Sequence, residues 1–164
     1  MSLNSILKLG NPLLYKVAEE VKPGEISGLK DSIELMHSLI LEFRKKYGVG
    51  RGIAAPQIGL LKRIICLNLD GLKYTLINPD LQNFSHEKME LWDDCMSFPN
   101  LLVKVKRHKS CTVSFMDENF EKHEWNLSDD LSELLQHEYD HLNGILATQR
   151  ALDDKSFWYK DLNE

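Results

Sequence analysis

The stretch from Ser128 to Gly144 constrains the fold more than any other part of the chain. Leu131, Leu134, Leu135 and Leu142 recur at helical spacing, which predicts a helix with one buried face. Ser128, followed by Asp129 and Asp130, marks its start, with a side-chain cap expected at Ser128 and two acids near the positive end of the helix dipole. Gly144 ends the pattern where a left-handed residue is wanted. Inside this helix lies Gln136-His137-Glu138-Tyr139-Asp140-His141. His137 and His141 stand one turn apart on one face, a spacing at which two imidazoles can hold one transition metal. Glu138 is then placed beside a water activated by that metal, as a proton acceptor and not a ligand. An arbitrary pair of histidines four apart is usually just a polar helix face. The glutamate at the second position, inside a Leu-rich helix, favours the metal site.

A catalytic metal keeps one position open for water and needs a third protein ligand. Cys95 is the candidate, a free thiol at a strand end followed by Ser97 and Pro99. Its alternative is a small buried hydrophobe, which is what most free cysteines are. Cys66 and Cys111 lie within apolar strand patterns and are assigned to the core. Three cysteines, few and odd in number, suit a reducing compartment.

Upstream, Asn11-Pro12 opens a short helical segment, Leu13 to Glu19, and Lys22-Pro23-Gly24 is a turn. Ile26, Leu29, Ile33, Leu35, Met36, Leu39, Ile40 and Phe43 predict a long helix ending at Tyr47-Gly48, with His37 a satisfied or surface histidine. Gly48 to Gly52 is a flexible break before Ile53-Ala54-Ala55-Pro56-Gln57-Ile58-Gly59, where small residues allow backbone to approach a neighbour or ligand closely. Lys62 to Leu69 and Leu72 to Ile77 read as strands joined by an Asp70-Gly71 hairpin turn. Met89 to Trp92, Leu101 to Val105, Ser110 to Met116 and Glu121 to Asn126 follow as further strands. The expected fold is α+β: a single domain over residues 1–164, with antiparallel sheets packed around the C-terminal metal-binding helix and a long N-terminal helix.

A net charge of -5 argues against a general nucleic-acid surface, although a basic run survives from Lys104 to Lys109. The first residues show no basic region followed by an apolar one, and no run could span a bilayer, so a cytoplasmic enzyme without membrane or direct nucleic-acid contact is expected.

Three blocks, in order, resemble those of the peptide deformylases: Gly50-x-Gly52-x-Ala54-Ala55-Pro56-Gln57, Cys95-x-Ser97, and Gln136-His137-Glu138-x-Asp140-His141-Leu142-x-Gly144. The resemblance implies removal of the formyl group from the N-terminal methionine of new polypeptides, a step of protein biosynthesis and N-terminal methionine processing. It implies Cys95, His137 and His141 as ligands of ferrous iron, with zinc, nickel or cobalt also suited to such a site. Glu138 would move the proton, and the Gln57 amide and Met96 backbone N–H would stabilise the oxyanion. Asp140 would support the helix or a histidine.

The chain also departs from the family pattern. Asp93-Asp94 replaces Glu-Gly before the cysteine, and Arg51 replaces an aliphatic residue between Gly50 and Gly52. Asp130 and Glu133 occupy helix positions expected to be apolar around the methionine pocket, beside Leu134. An arginine common after the cysteine block is missing where the chain reads Asn100-Leu101-Leu102. Either the acids are first-turn helix residues and Arg51 meets water or pairs with them, or the substrate pocket has become more polar. The readings left open are an active deformylase, a deformylase-like amidase acting on another acylated amine, a zinc endopeptidase, and a catalytically weak or silent paralogue. The tail from Ala151 to Glu164 offers no basic helix, so any ribosome association is expected elsewhere, and Phe157, Trp158 and Tyr159 are expected to pack on the body.

Overall fold

The computed structural model describes residues 2–160. A five-stranded antiparallel sheet of order β1-β2-β3-β6-β7 comprises β1 (Gly52–Ala54), β2 (Ile64–Leu69), β3 (Leu72–Gln82), β6 (Ser110–Met116) and β7 (Lys122–Ser128). A smaller sheet joins β4 (Lys88–Asp93), β5 (Leu101–His108) and β8 (Phe157–Tyr159). The helices are α1 (Ile26–Tyr47) and α2 (Asp129–Leu142), so the α+β expectation and the long N-terminal helix hold.

The larger sheet is covered on both faces, and the alternation along β2 shows how. Ile64 and Cys66 join the core formed with Ile33, Met36 and Ile40 of α1. Ile65 and Leu67 point the other way, into the core formed with Leu134, Leu135 and Leu142 of α2. A strand buried on both faces is apolar at consecutive positions, which accounts for the unbroken Ile64-Ile65-Cys66-Leu67 run. The β2–β3 hairpin turns through Asp70 (φ 52°) and Gly71 (φ 83°), the left-handed pair a two-residue turn requires. A third core, containing Leu14, Cys95, Phe98, Val103, Val105 and Leu146, joins the small sheet to the loop after β4 and to the segment following α2.

Several local expectations change. Only Pro12–Tyr15 of the segment to Glu19 is helical, a 3-10 turn whose Leu13 N–H donates to Asn11 Oδ1 at 3.0 Å. Beyond it the chain is drawn out, because Ala18 N–H donates to Leu142 O at 2.9 Å. Ser128 occupies the N-cap of α2 but makes no side-chain cap bond. Asp129 enters the helix at φ 54° while its N–H donates to Lys109 O at 2.8 Å. His37 is buried, its Nε2 2.9 Å from Thr75 Oγ1. β8 pairs with Leu101–Val103 of β5, yet Phe157, Trp158 and Tyr159 remain exposed, because β8 is an edge strand. Met1 and residues 161–164, part of the expected domain and tail, lie outside the described residues. Among the described residues no helix is long and apolar enough to cross a membrane.

Candidate metal centre and active site

α2 carries His137 and His141 on the face turned toward Cys95, near the start of the loop leaving β4. One ligand atom from each of Cys95, His137 and His141 lies within 4.8 Å of the others, and Cys95 Sγ is 3.4 Å from His141 Nε2. All three residues are buried. His137 Nδ1 donates to Asp93 Oδ2 at 2.8 Å, which leaves Nε2 for a metal and fixes the ring. One thiolate, two imidazoles and an open side toward a cavity make a donor set that fits a catalytic divalent ion.

Behind the triad runs a chain of charges that the motifs did not reveal. Asp93 Oδ2 also accepts from Arg107 Nη2 at 2.7 Å, Arg107 Nη1 donates to Asp140 Oδ2 at 2.8 Å, and Arg150 Nη2 donates to Asp140 Oδ1 at 2.9 Å. Asp140 therefore supports a histidine only at second hand, through Arg107 and Asp93, and bonds to neither imidazole. The signal for Arg107 was present: Val103, Val105 and Arg107 share the inward phase of β5, so an arginine stands where the alternation calls for a buried residue. Burial disfavours the charge on Asp93, but His137 and Arg107 outweigh it and hold the carboxyl down at about 2. Burial likewise opposes the charge on His137, and Asp93 with Cys95 raises its pKa well above the usual imidazole range. His141, buried and facing His137, is pushed well below that range.

Glu138 is buried, with Oε1 3.7 Å from His137 Nε2. Its Oε2 has no hydrogen-bond partner among the described residues. Burial, reinforced by Asp93, Asp94 and Glu133 against the pull of His137, raises its pKa to about 7, close to the range of a group that both takes and gives a proton. Gln57 sits in the 3-10 turn Ala55–Ile58 after β1. Its Oε1 accepts from Ala54 N–H at 2.9 Å, which turns Nε2 toward Ser97 Oγ at 3.1 Å and Cys95 Sγ at 3.5 Å. The side-chain amide is thus aimed at the triad before any substrate arrives.

A cavity of about 210 Å³ opens beside the triad, lined by Gly50, Arg51, Gly52, Asp94, Met96, Glu133, Leu134 and Glu138 together with Cys95 and His137. Gln57 and His141 lie behind this lining, joined to it through Cys95. The glycine-rich approach is held firmly: Arg44 of α1 donates to Gly50 O through Nη2 at 2.8 Å and to Asn68 Oδ1 through Nη1 at 3.0 Å. Gly52 lets β1 pack tightly on β2, since a Cβ there would stand 2.9 Å from Leu67 Cδ2. Arg51 crosses to α2, with Nη2 2.6 Å from Glu133 Oε1 and Nη1 3.4 Å from Asp130 Oδ2. Leu102 lines an adjoining cavity with Phe43, Tyr47, Val49 and Pro99.

The family model for polypeptide deformylase matches residues 3–157. The chain is 32% identical over 172 residues to a peptide deformylase of Leptospira biflexa, covering 98% of this chain and 94% of the relative. The crystal structure of peptide deformylase from Thermotoga maritima superposes with a TM-score of 0.82 at 30% identity, covering 90% of this chain and 97% of that one. A peptide deformylase from Acinetobacter baumannii with Met-Ala-Ser bound gives a TM-score of 0.80 at 28% identity, covering 88% and 96%.

Proposed function

The chain belongs to the polypeptide deformylase family, metallo-hydrolases that remove the formyl group from N-terminal formylmethionine, and we propose that Glu138, Gln57 and Met96 carry the reaction beside a metal held by Cys95, His137 and His141. The observation that carries this reading is the convergence of the Cys95–His137–His141 triad with buried Glu138 and oriented Gln57 at one cavity. A divalent ion held by the triad would lower the pKa of water and polarise the formyl carbonyl. Ferrous iron is the ion proposed, with zinc, nickel or cobalt able to take the same ligands.

The protein's own groups do the rest. Glu138 accepts a proton from the attacking water and delivers it to the departing amine, so one carboxyl serves as base and then as acid. The Gln57 Nε2–H and the Met96 backbone N–H meet the negative charge growing on the formyl oxygen. Asp93 keeps the His137 tautomer that leaves Nε2 free. The products are formate and a peptide with a free amine.

The substrate class is an N-formylmethionyl peptide, in line with the Met-Ala-Ser held by the Acinetobacter baumannii relative. The reading places the enzyme in the cytoplasm, acting as one catalytic unit on nascent chains without contacting nucleic acid. The test is anaerobic hydrolysis of formyl-Met-Ala-Ser by iron-loaded protein, with Glu138→Gln as control. Formate release lost in the variant is the expected result. Tight metal binding without formate release by the unaltered enzyme would overturn the assignment.

A further inference from the structure

Alternation along the small sheet turns one of its faces to solvent, and the strand register fixes what that face carries. Asp93 of β4 and Val103, Val105 and Arg107 of β5 are buried, Asp93 and Arg107 against partners on α2. The opposite phase presents Trp92 of β4 and Leu102 and Lys104 of β5. Trp92 stands opposite Lys104, and Leu102 stands opposite Trp158 of β8. Trp92 is 44% exposed and Trp158 61%. Lys104 Nζ lies 5.9 Å from the centre of the Trp92 ring and 3.6 Å from Glu90 Oε2. Lys106, next in the same phase, is exposed. Two indoles left in water on one sheet face, with a leucine and a lysine between them, mark an interaction surface.

Continuity with the active site identifies the occupant. Leu102 and Lys160 also line the adjoining cavity of about 220 Å³. That cavity shares Phe43, Val49, Asp94 and Cys95 with the cavity at the triad. A path therefore runs from the triad, through the adjoining cavity and past Leu102, to the tryptophans. The substrate is itself a polypeptide, and its chain has to leave the triad across some part of the surface. In extended form each residue advances it by about 3.3 Å, so its later residues come out along this path. The lysines on the path, Lys104, Lys106 and Lys160, stand on a chain of net charge -5 and favour carboxylates in whatever is laid over them.

Resting on the deformylation reading above, we propose that Trp92 and Trp158, with Leu102 and Lys104 between them, form a docking face for the segment of a formylmethionyl polypeptide beyond its first three residues. The face prefers aromatic and acidic side chains in that segment. The two cavities take the N-terminal residues, the tryptophans cover apolar side chains further along, and the lysines meet carboxylates. Nothing changes at the formyl carbon. Contacts made equally in the ground and transition states tighten binding and leave the chemical step alone, so the effect falls on KM and not on kcat.

The experiment compares iron-loaded enzyme on formyl-Met-Ala-Ser and on the same tripeptide extended by Gly-Ser-Gly-Ser, Phe-Asp-Phe-Asp or Phe-Lys-Phe-Lys. The Phe-Asp extension should raise kcat/KM about tenfold, through KM alone. The Gly-Ser extension, flexible and without apolar surface, should change it by less than about twofold. The Phe-Lys extension should fall between them. Binding of the deformylated Phe-Asp peptide, which contains no tryptophan, gives a readout independent of turnover: the protein's fluorescence should move to shorter wavelength as exposed indoles leave water. In the double variant Trp92→Ser with Trp158→Ser, which alters two exposed positions and spares the core, that shift should vanish. The advantage of the Phe-Asp peptide over the tripeptide should fall there to that of the Gly-Ser peptide. An advantage undiminished in the double variant, or equal gains from the Gly-Ser and Phe-Asp extensions, would overturn the proposal while leaving deformylation standing. A dimer that the double variant dissociates, with no dependence of rate on peptide length, would give the face to a second copy of the chain and overturn it as well. Formate from none of the four peptides would overturn the deformylation reading and the proposal with it.

Discussion

Asp93 Oδ2 lies 2.8 Å from His137 Nδ1 and 2.7 Å from Arg107 Nη2, so one buried oxygen both orients a proposed metal ligand and anchors the arginine behind it. Removing Arg107 leaves Asp93 and Asp140 buried with less compensation, and breaking a buried pair from one side costs about 3–5 kcal/mol. Arg107→Met should therefore lower thermal stability markedly. It should also weaken metal binding by about 10–100-fold, the usual cost of losing a group that steers a ligating histidine. Metal titration of the folded variant at reduced temperature separates the two effects. Undiminished affinity would show that Asp93 holds His137 without help from Arg107.

The same carboxylate should contribute to the acid sensitivity of the metal-free protein. Burial works against its charge, but His137 and Arg107 hold its folded pKa at about 2, below the ordinary 3.8. A group depressed on folding contributes stability that is complete above its unfolded pKa and is lost as pH falls through the folded value. Between pH 3.8 and about 2 metal-free protein should lose about 2–3 kcal/mol from this group alone. Asp93→Asn should start less stable at neutral pH and show a shallower loss through that window in denaturant melts. An identical acid slope in the variant would remove Asp93 as the cause.

The sequence made the helix bearing His137 and His141 legible because its pattern is local: caps, periodic leucines and a spacing that one turn converts into proximity. Cys95 and Gln57 lie far from it in sequence, and periodicity alone does not bring them to it; the motif blocks did. Arg44, Arg107 and Arg150 were missed for a different reason. Their partners, Gly50 O, Asp93 and Asp140, are set by how α1 and the small sheet pack, and no local pattern encodes that. The phase of β5 was the one available clue to Arg107. At the start of α2, Ser128 carried the sequence signal of a cap, and the backbone bond from Asp129 to Lys109 prevailed over it.

Thiol reactivity should divide the cysteines cleanly. Burial pushes both the Cys66 and Cys111 thiols up, Cys66 the further, and keeps them protonated at neutral pH. Cys95 lines the open cavity. Alkylation of native metal-free protein followed by mass mapping should find label on Cys95 alone, because the thiolate is the reactive species and must be reached. Loading iron, zinc or nickel should protect it. Equal labelling with and without metal would argue against Cys95 as a ligand.

Two glycines differ in what an added Cβ would meet, backbone at one and the end of a side chain at the other. At Gly144, φ is 72° and a Cβ would stand 2.5 Å from Tyr15 O, a backbone atom with little freedom to withdraw. Gly144→Ala should cost about 2–4 kcal/mol through strain and overpacking at once, while protein that remains folded keeps its turnover. At Gly52 the added Cβ meets the end of the Leu67 side chain at 2.9 Å, which can yield, and Glu138 Cγ at 3.4 Å, an ordinary van der Waals contact that leaves the carboxylate in place. Gly52→Ala should therefore melt within about 1–2 kcal/mol of the parent and keep its turnover. Melting curves should separate the two variants, Gly144→Ala falling much further, while steady-state kinetics on folded protein should separate neither from the parent. A large loss of kcat in Gly52→Ala would show that the new methyl group displaces Glu138 after all.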